Sequence, residues 1–238
     1  MDSISELILY VIKVPIEELQ NLQNSLSLHP NYQYVDKNYI VRTNAVPNDP
    51  LFNQQTYFSP IDAQLAWDVE TGYPDVVIAV LDTGVEATHE DFSGKVLPGC
   101  STLDGFSETN CGTNTNDFAG HGSGVSGTAA AQTNNGVGVA GICWGCQILP
   151  VKVLDDNGLG SDADVIQGIL FARNYAINNP TKKVIINMSS GRNCQSPTFN
   201  PLSQAMQDAI NLAWNSGSVI VAAAGNDGSS DLHCPRRG

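Results

Sequence analysis

Four near-continuous apolar runs, at 75–81, 148–154, 183–188 and 218–224, constrain this chain more than any other feature. Each has the length of a strand, and each stays apolar instead of alternating, the pattern of strands buried on both faces of a parallel sheet. Helical stretches lie between them. Ser161-Asp-Ala-Asp164 has the form of a capping box and is followed by Val165, Ile166, Ile169, Leu170 and Ile177 on one face. A second helix is predicted from about Pro201 through Met206, Ile210 and Trp214 to a stop at Gly217. Strands and helices in alternation predict an α/β domain, a mostly parallel sheet flanked by helices with its ligand crevice at the carboxyl ends of the strands.

Residues 1–43 read as a separate unit. An apolar, β-branched stretch over 4–14 predicts a strand, Pro15 a helix start with Ile16, Leu19, Leu22 and Leu26 at helical spacing, and 32–41 a second strand. The segment 44–50 (NAVPNDP) resists helix and sheet and is read as a linker. With 24 Asp+Glu against 11 Lys+Arg, a net charge of −13, the chain lacks the basic face that nucleic acid or an anionic membrane surface requires. No apolar stretch approaches membrane-spanning length, and the start carries acids where a signal peptide has a basic region.

Three motifs fall at the predicted carboxyl edge. The first strand ends in Asp82-Thr83-Gly84, a carboxylate on a turn that Gly84 permits. The segment from Asn116 to Ala131 holds His121 between glycines ahead of an Ala-rich helix. A small-residue strand, Val221 to Gly225, delivers the amide of Asn226. Taken singly, Asp82 and Asn226 are ordinary turn residues and a lone histidine is more often structural. Gly122-x-Gly124-x-x-Gly127 matches the dinucleotide fingerprint, but its preceding residues are polar and no acid lies between Asp117 and Asp155, which argues against a Rossmann site.

Together, LDTGVEATHEDF, HGSGVSGTAAAQTNNGVGVAG, VKVLDDNGLGSDADVIQGI, INMSSG and VIVAAAGNDG, in this order, resemble the subtilisin-like serine proteases, the subtilases, from about Asn48 to Gly228. Residues 1–43, with SLHPNYQYVDKNYIVR, are similar to the second part of that family's inhibitory propeptide, which implies a partial α+β ferredoxin-like unit ahead of a three-layer catalytic domain spanning 51–238. The resemblance implies peptide-bond hydrolysis, with Asp82 as the triad acid, His121 as the general base and Asn226 as the oxyanion donor. It implies a cleft for an extended peptide between Gly158, Leu159, Gly160 and Ser189, Ser190, Gly191, with Ala222, Ala223, Ala224 and Gly225 bordering the pocket before the scissile bond. It also implies structural Ca²⁺ held by Asp49, Asp91 and Asn135, completed by backbone carbonyls, a secreted monomer, and the chain's own propeptide as a partner.

The six cysteines are expected to form structural disulfides, paired 100–111, 143–146 and 194–234; zinc bound by Cys143, Cys146, His233 and Cys234 stays open as an alternative. Cys143-Trp-Gly-Cys146 has redox spacing, but a strand is predicted after it where a redox pair needs a helix. The family's serine stands in Gly-Thr-Ser-Met-Ala, a segment that residues 1–238 do not contain. The chain is therefore expected to be a fragment lacking the C-terminal part of the catalytic domain, inefficient in hydrolysis as written. The alternative is a non-catalytic peptide-binding or inhibitory protein of the same fold.

Overall fold

The computed structural model describes residues 2–4, 9–39, 45–103, 111–191 and 203–226. The chain divides into two compact units, Met1–Thr43 and Asn44–Gly238. In the first, β1 (Asp2–Ile4) pairs antiparallel with β2 (Leu9–Val11), and α1 follows at Leu19–Ser27. Of the predicted strand over 4–14, Ile4 ends β1 and 9–11 form β2, 12–14 are not strand, and 5–8 lie outside the described residues. The helix begins four residues after Pro15, behind a turn. Residues 32–39 of the predicted second strand form none: the carbonyl of Val35 accepts from the Gln23 side chain of α1 instead of from a neighbouring strand. Residues 40–41 lie outside the described residues.

The second unit contains α2 (Ala63–Trp67), β3 (Val76–Asp82), β4 (Cys100–Ser101), α3 (His121–Ala130), β5 (Gln147–Lys152), α4 (Asp162–Asn178), β6 (Lys183–Met188), α5 (Gln204–Asn215) and β7 (Val219–Ala222). The five strands form one sheet in the order β4-β5-β3-β6-β7, and every pairing is parallel. All four apolar runs become strands, within two residues of the expected limits. The capping box forms as read: Ser161 accepts from the Asp164 N–H, and the Asp164 carboxylate accepts from the Ser161 N–H. The α5 helix starts later than Pro201 because Ser203 caps it through the Met206 N–H.

The two sheet faces are covered by different helices. Val77, Ala79 and Leu81 of β3 pack with Ile169 and Ala172 of α4 and Ala209 and Ala213 of α5. The intervening Ile78 and Val80 pack with Ala130 of α3. Burial at about 25 cal/mol per Å² makes these two layers the main source of stability. A third cluster joins Phe58, Ala63, Trp67 and Ala140 beside the sheet.

The segment 45–50 is tied down and is no free linker. The Ala45 N–H donates to Asp68 (2.7 Å), the Asn48 N–H to Asn134 (3.0 Å), and the Leu51 N–H to the Gly138 carbonyl (3.0 Å). Its prolines and asparagines exclude helix and sheet, as expected, yet side-chain acceptors take up its backbone donors. Disulfides join Cys100 to Cys111 and Cys143 to Cys146. Both cysteines proposed as zinc ligands in the described residues have their sulfurs in that second bridge, which removes the zinc alternative there. The third expected pair, 194–234, lies outside the described residues.

Candidate active site

The sheet changes direction of growth at β3: β5 is paired on one side and β6 on the other. In an open parallel sheet such a switch point opens a crevice beyond the carboxyl ends of the strands. Asp82 is the last residue of β3. Its position continues the parity of Ile78 and Val80, so it belongs to the face that α3 covers. His121 is the first residue of α3. Two independent features of the sequence, strand alternation and a helix start, therefore bring one acid and one imidazole to the same corner.

The approach is close because of two glycines. Gly84 has φ +115°, and a Cβ there would run into the Thr115 carbonyl; a Cβ on Gly122 would run into the Gly84 carbonyl. With both bare, His121 Nδ1 stands 2.7 Å from Asp82 Oδ1. An ionised carboxylate can only accept, so Nδ1 carries the proton and Nε2 is left as the acceptor. The same Oδ1 accepts from the Thr83 N–H at 2.8 Å. Asp82 is fully buried, whereas the His121 side chain is 56% exposed, so the pair presents its ring to solvent and hides its charge.

Two residues outside the expected site, Asp117 and Lys152, reach the pair through Thr83. Asp117 accepts from the N–H groups of Ala119, Gly120 and Ser123 and from the Thr83 hydroxyl, which in turn accepts from the Gly122 N–H. Burial pushes the Asp117 carboxyl up, but the Ser123 N–H and hydroxyl, the Thr83 hydroxyl and the Gly120 N–H pull harder, and it titrates below the usual carboxylate range. Lys152, the last residue of β5, sends its ammonium to the Thr83 carbonyl (2.5 Å), the Asn116 carbonyl (3.1 Å) and Asp156 (2.7 Å). The signals existed: an Asp just ahead of a helix start is a capping pattern, and a lone lysine in an apolar strand needs partners.

The expected peptide-cleft residues follow strands at the same carboxyl edge of the sheet. Gly158, Leu159 and Gly160 follow β5, Ser189, Ser190 and Gly191 follow β6, and Ala222, Ala223, Ala224, Gly225 and Asn226 end or follow β7. Leu159 is tied to its own turn: its N–H donates to the Asp155 carboxylate and its carbonyl accepts from the Asp155 N–H, each at 2.8 Å. The Leu159 N–H, against an opposing effect of burial and with help from the Asn157 N–H and amide and the Lys152 charge, holds the Asp155 carboxyl below its ordinary value. Among the described residues the Gly158 carbonyl and the Gly160 N–H have no partner. Ser189 accepts from the Asn187 amide, and the Ala223 N–H donates to the Met188 carbonyl. Asn226 is exposed, and no hydrogen bond joins it to Asp82 or His121.

Asp49, Asp91 and Asn135 also come together. The Asp49 carboxylate accepts from the Asn134 and Asn135 N–H groups, and Asp91 accepts from the Asn135 amide (3.1 Å) and the Val139 N–H (2.8 Å). Both acids are buried, and neither has a cationic partner among the described residues. Two buried carboxylates without a cation are hard oxygen donors of the kind Ca²⁺ takes, whereas Asn135 turns its NH₂ to Asp91 and its Oδ1 accepts from the Val137 N–H. Among the described residues no three His, Cys, Asp or Glu side chains cluster as ligands, so a cation here would draw on backbone carbonyls too.

The sequence profile of the Subtilase family matches residues 74–237. The chain is 36% identical over 226 residues to the thermophilic serine proteinase of Bacillus sp. strain AK1, covering 92% of this chain and 50% of that protein. It is 31% identical to an extracellular protease of Xanthomonas campestris, covering 90% of this chain and 40% of the relative. A solved protease from Pseudoalteromonas arctica superimposes with a TM-score of 0.64 at 34% identity, covering 80% of this chain and 62% of that one. The chain thus spans about half the length of the curated relatives it matches. On a family match over most of its length, a parallel sheet shared with solved proteases, and an acid and a histidine joined at the sheet's switch point, this chain belongs to the subtilase family.

Proposed function

We propose that Asp82, His121 and Asn226 are the acid, the base and the oxyanion-stabilising amide of a serine endopeptidase. The observation that carries this reading is the 2.7 Å bond between Asp82 Oδ1 and His121 Nδ1 at the switch point of the sheet. In the reaction, Nε2 of His121 takes the proton of a serine hydroxyl as its oxygen attacks the scissile carbonyl, and Asp82 holds the tautomer and stabilises the imidazolium. The Asn226 amide donates to the oxyanion of the tetrahedral intermediate. His121 then protonates the leaving amine, and the acyl-enzyme is hydrolysed by a water activated in the same way. The substrate is an extended peptide that pairs with the Gly158 carbonyl and the Gly160 N–H on one wall and follows 189–191 and 222–225 on the other.

Residues 1–43 act in this reading as part of a propeptide, the protein works outside the cell as a monomer, and Asp49, Asp91 and Asn135 hold a structural Ca²⁺ that screens their buried charge. The names of the extracellular relatives support the location. Among the described residues no helix is long and apolar enough to cross a membrane.

The test is a chimera in which residues 44–226 are followed by the corresponding C-terminal part of the Bacillus sp. strain AK1 proteinase, bringing a serine segment beside His121. The chimera should hydrolyse an unstructured peptide, and Asp82→Asn or His121→Ala should each reduce kcat by about 10⁴-fold or more. A folded chimera that binds peptide without turnover would favour the non-catalytic alternative.

A further inference from the structure

We propose that Asp117 is a positioning residue for the acid–base pair, acting through the Thr83 hydroxyl to lock the backbone that carries His121 against the strand that carries Asp82. The inference deepens the reading of Asp82 and His121 as acid and base, and it starts from how the neighbours of His121 are held. The Gly120 N–H donates to Asp117 Oδ1 at 2.9 Å, the Gly122 N–H to Thr83 Oγ1 at 2.9 Å, and the Ser123 N–H to Asp117 Oδ2 at 2.7 Å. The backbone is therefore clamped on both sides of the histidine. At 2.8 Å the Thr83 hydroxyl donates to Asp117 Oδ1, and at 2.8 Å the Thr83 N–H donates to Asp82 Oδ1. One threonine thus touches the acid through its N–H, the helix through its hydroxyl oxygen and Asp117 through its hydroxyl proton.

The direction of each bond singles out Asp117. A hydroxyl has one proton, and with the Gly122 N–H already pointing at its oxygen, that proton must go to an acceptor. Asp117 receives four donors, and only an ionised carboxylate accepts at both ends. An asparagine of the same shape would turn its NH₂ toward either the Ser123 N–H or the group formed by the Ala119 N–H, the Gly120 N–H and the Thr83 hydroxyl. Either way two donors face each other in a buried place, since Asp117 is 7% exposed. Capping α3 alone would need only the Oδ2 bond to Ser123; the bond to Thr83 ties the helix to β3 and, through Thr83, to the acid.

The experiment uses the full 238-residue chain, labelled with ¹⁵N, and follows the low-field proton on His121 Nδ1, whose visibility depends on its bond to Asp82. Wild type and Thr83→Ser, which keeps the hydroxyl, should show the resonance alike. Asp117→Asn and Thr83→Val should lose it to exchange with water, and the double variant should be no worse than either single one. If Asp117 serves only to cap the helix, Asp117→Asn lowers the melting temperature while the resonance stays, and the proposal is overturned. Should Asp117→Asn not fold, Thr83→Val decides: a resonance indistinguishable from that of Thr83→Ser overturns the proposal as well. An inactive chimera with the expected resonance pattern would instead contradict the peptidase reading and leave the role of Asp117 in place.

Discussion

Two places in the second unit bury carboxylates against loops, and they balance that burial in different ways. At the end of β3, Asp82 and Asp117 meet backbone N–H groups, a hydroxyl and the His121 ring, with the Lys152 ammonium on the Thr83 carbonyl beside them. At the loop 133–139, Asp49 and Asp91 meet N–H groups and the Asn135 amide, with no cation from the described residues. The same device, an acid gathering the donors of a glycine-containing loop, has different consequences in the two places. Where one partner is an imidazole, the arrangement fixes which ring nitrogen faces the acid and leaves the other facing solvent. Where every partner is neutral, it leaves negative charge that a hard cation would stabilise.

The largest effect is expected at Gly122. Gly122→Ala forces a methyl into the Gly84 carbonyl, so α3 must withdraw from β3. We expect a loss of about 3 kcal/mol in urea unfolding of the chain, together with a loss of about 10²-fold in chimera activity as the ring moves from its acid. An unchanged midpoint and rate would show that the corner is not held by close approach. The loop 133–139 should respond to metal instead. Ca²⁺ at about a hundred times its dissociation constant should stabilise the chain by about 2.7 kcal/mol. Chelation should reverse the gain and Asp91→Asn should remove it; a melting temperature indifferent to Ca²⁺ would rule out the site.

The smallest expected effect concerns a buried cation without an acid. Among the described residues the Lys95 ammonium donates to the Cys143 and Trp144 carbonyls alone, and burial pushes it down to about 8 from an ordinary value of 10.5. Between those values the unfolded chain binds the proton that the folded chain has released. Stability attributable to Lys95 therefore rises with pH across that window and is lowest below it. Relative to Lys95→Met, the wild type should gain about 1 kcal/mol between pH 8 and 10.5, less than the ~2.6 kcal/mol the two values would give in full because solvent screens the partly exposed ammonium. A difference that stays flat with pH would contradict this.

Much of this architecture is legible in the residues. Continuous apolar runs announce buried parallel strands because both faces of such a sheet are covered, and Ser161 with Asp164 announces α4 because their mutual bonds are local. Asp82 and His121 are legible by resemblance, and their joining follows from alternation along β3 and the helix start at His121. Asp117 and Lys152 are hidden because their roles depend on Thr83 and Asn116, which the fold brings to them from other elements. The region 32–39 misleads for the reverse reason: its alternation suits a strand, but a strand needs a neighbour, and Val35 finds a glutamine side chain.

The acid–base reading of this corner rests on the tautomer of one ring. A long-range ¹H–¹⁵N correlation spectrum of the 238-residue chain near neutral pH reports which nitrogen of His121 bears the proton. In the neutral ring we predict the Nδ1–H tautomer, since the acceptor 2.7 Å away is a buried carboxylate. An Nε2–H form, or equal averaging between the two nitrogens, would contradict it.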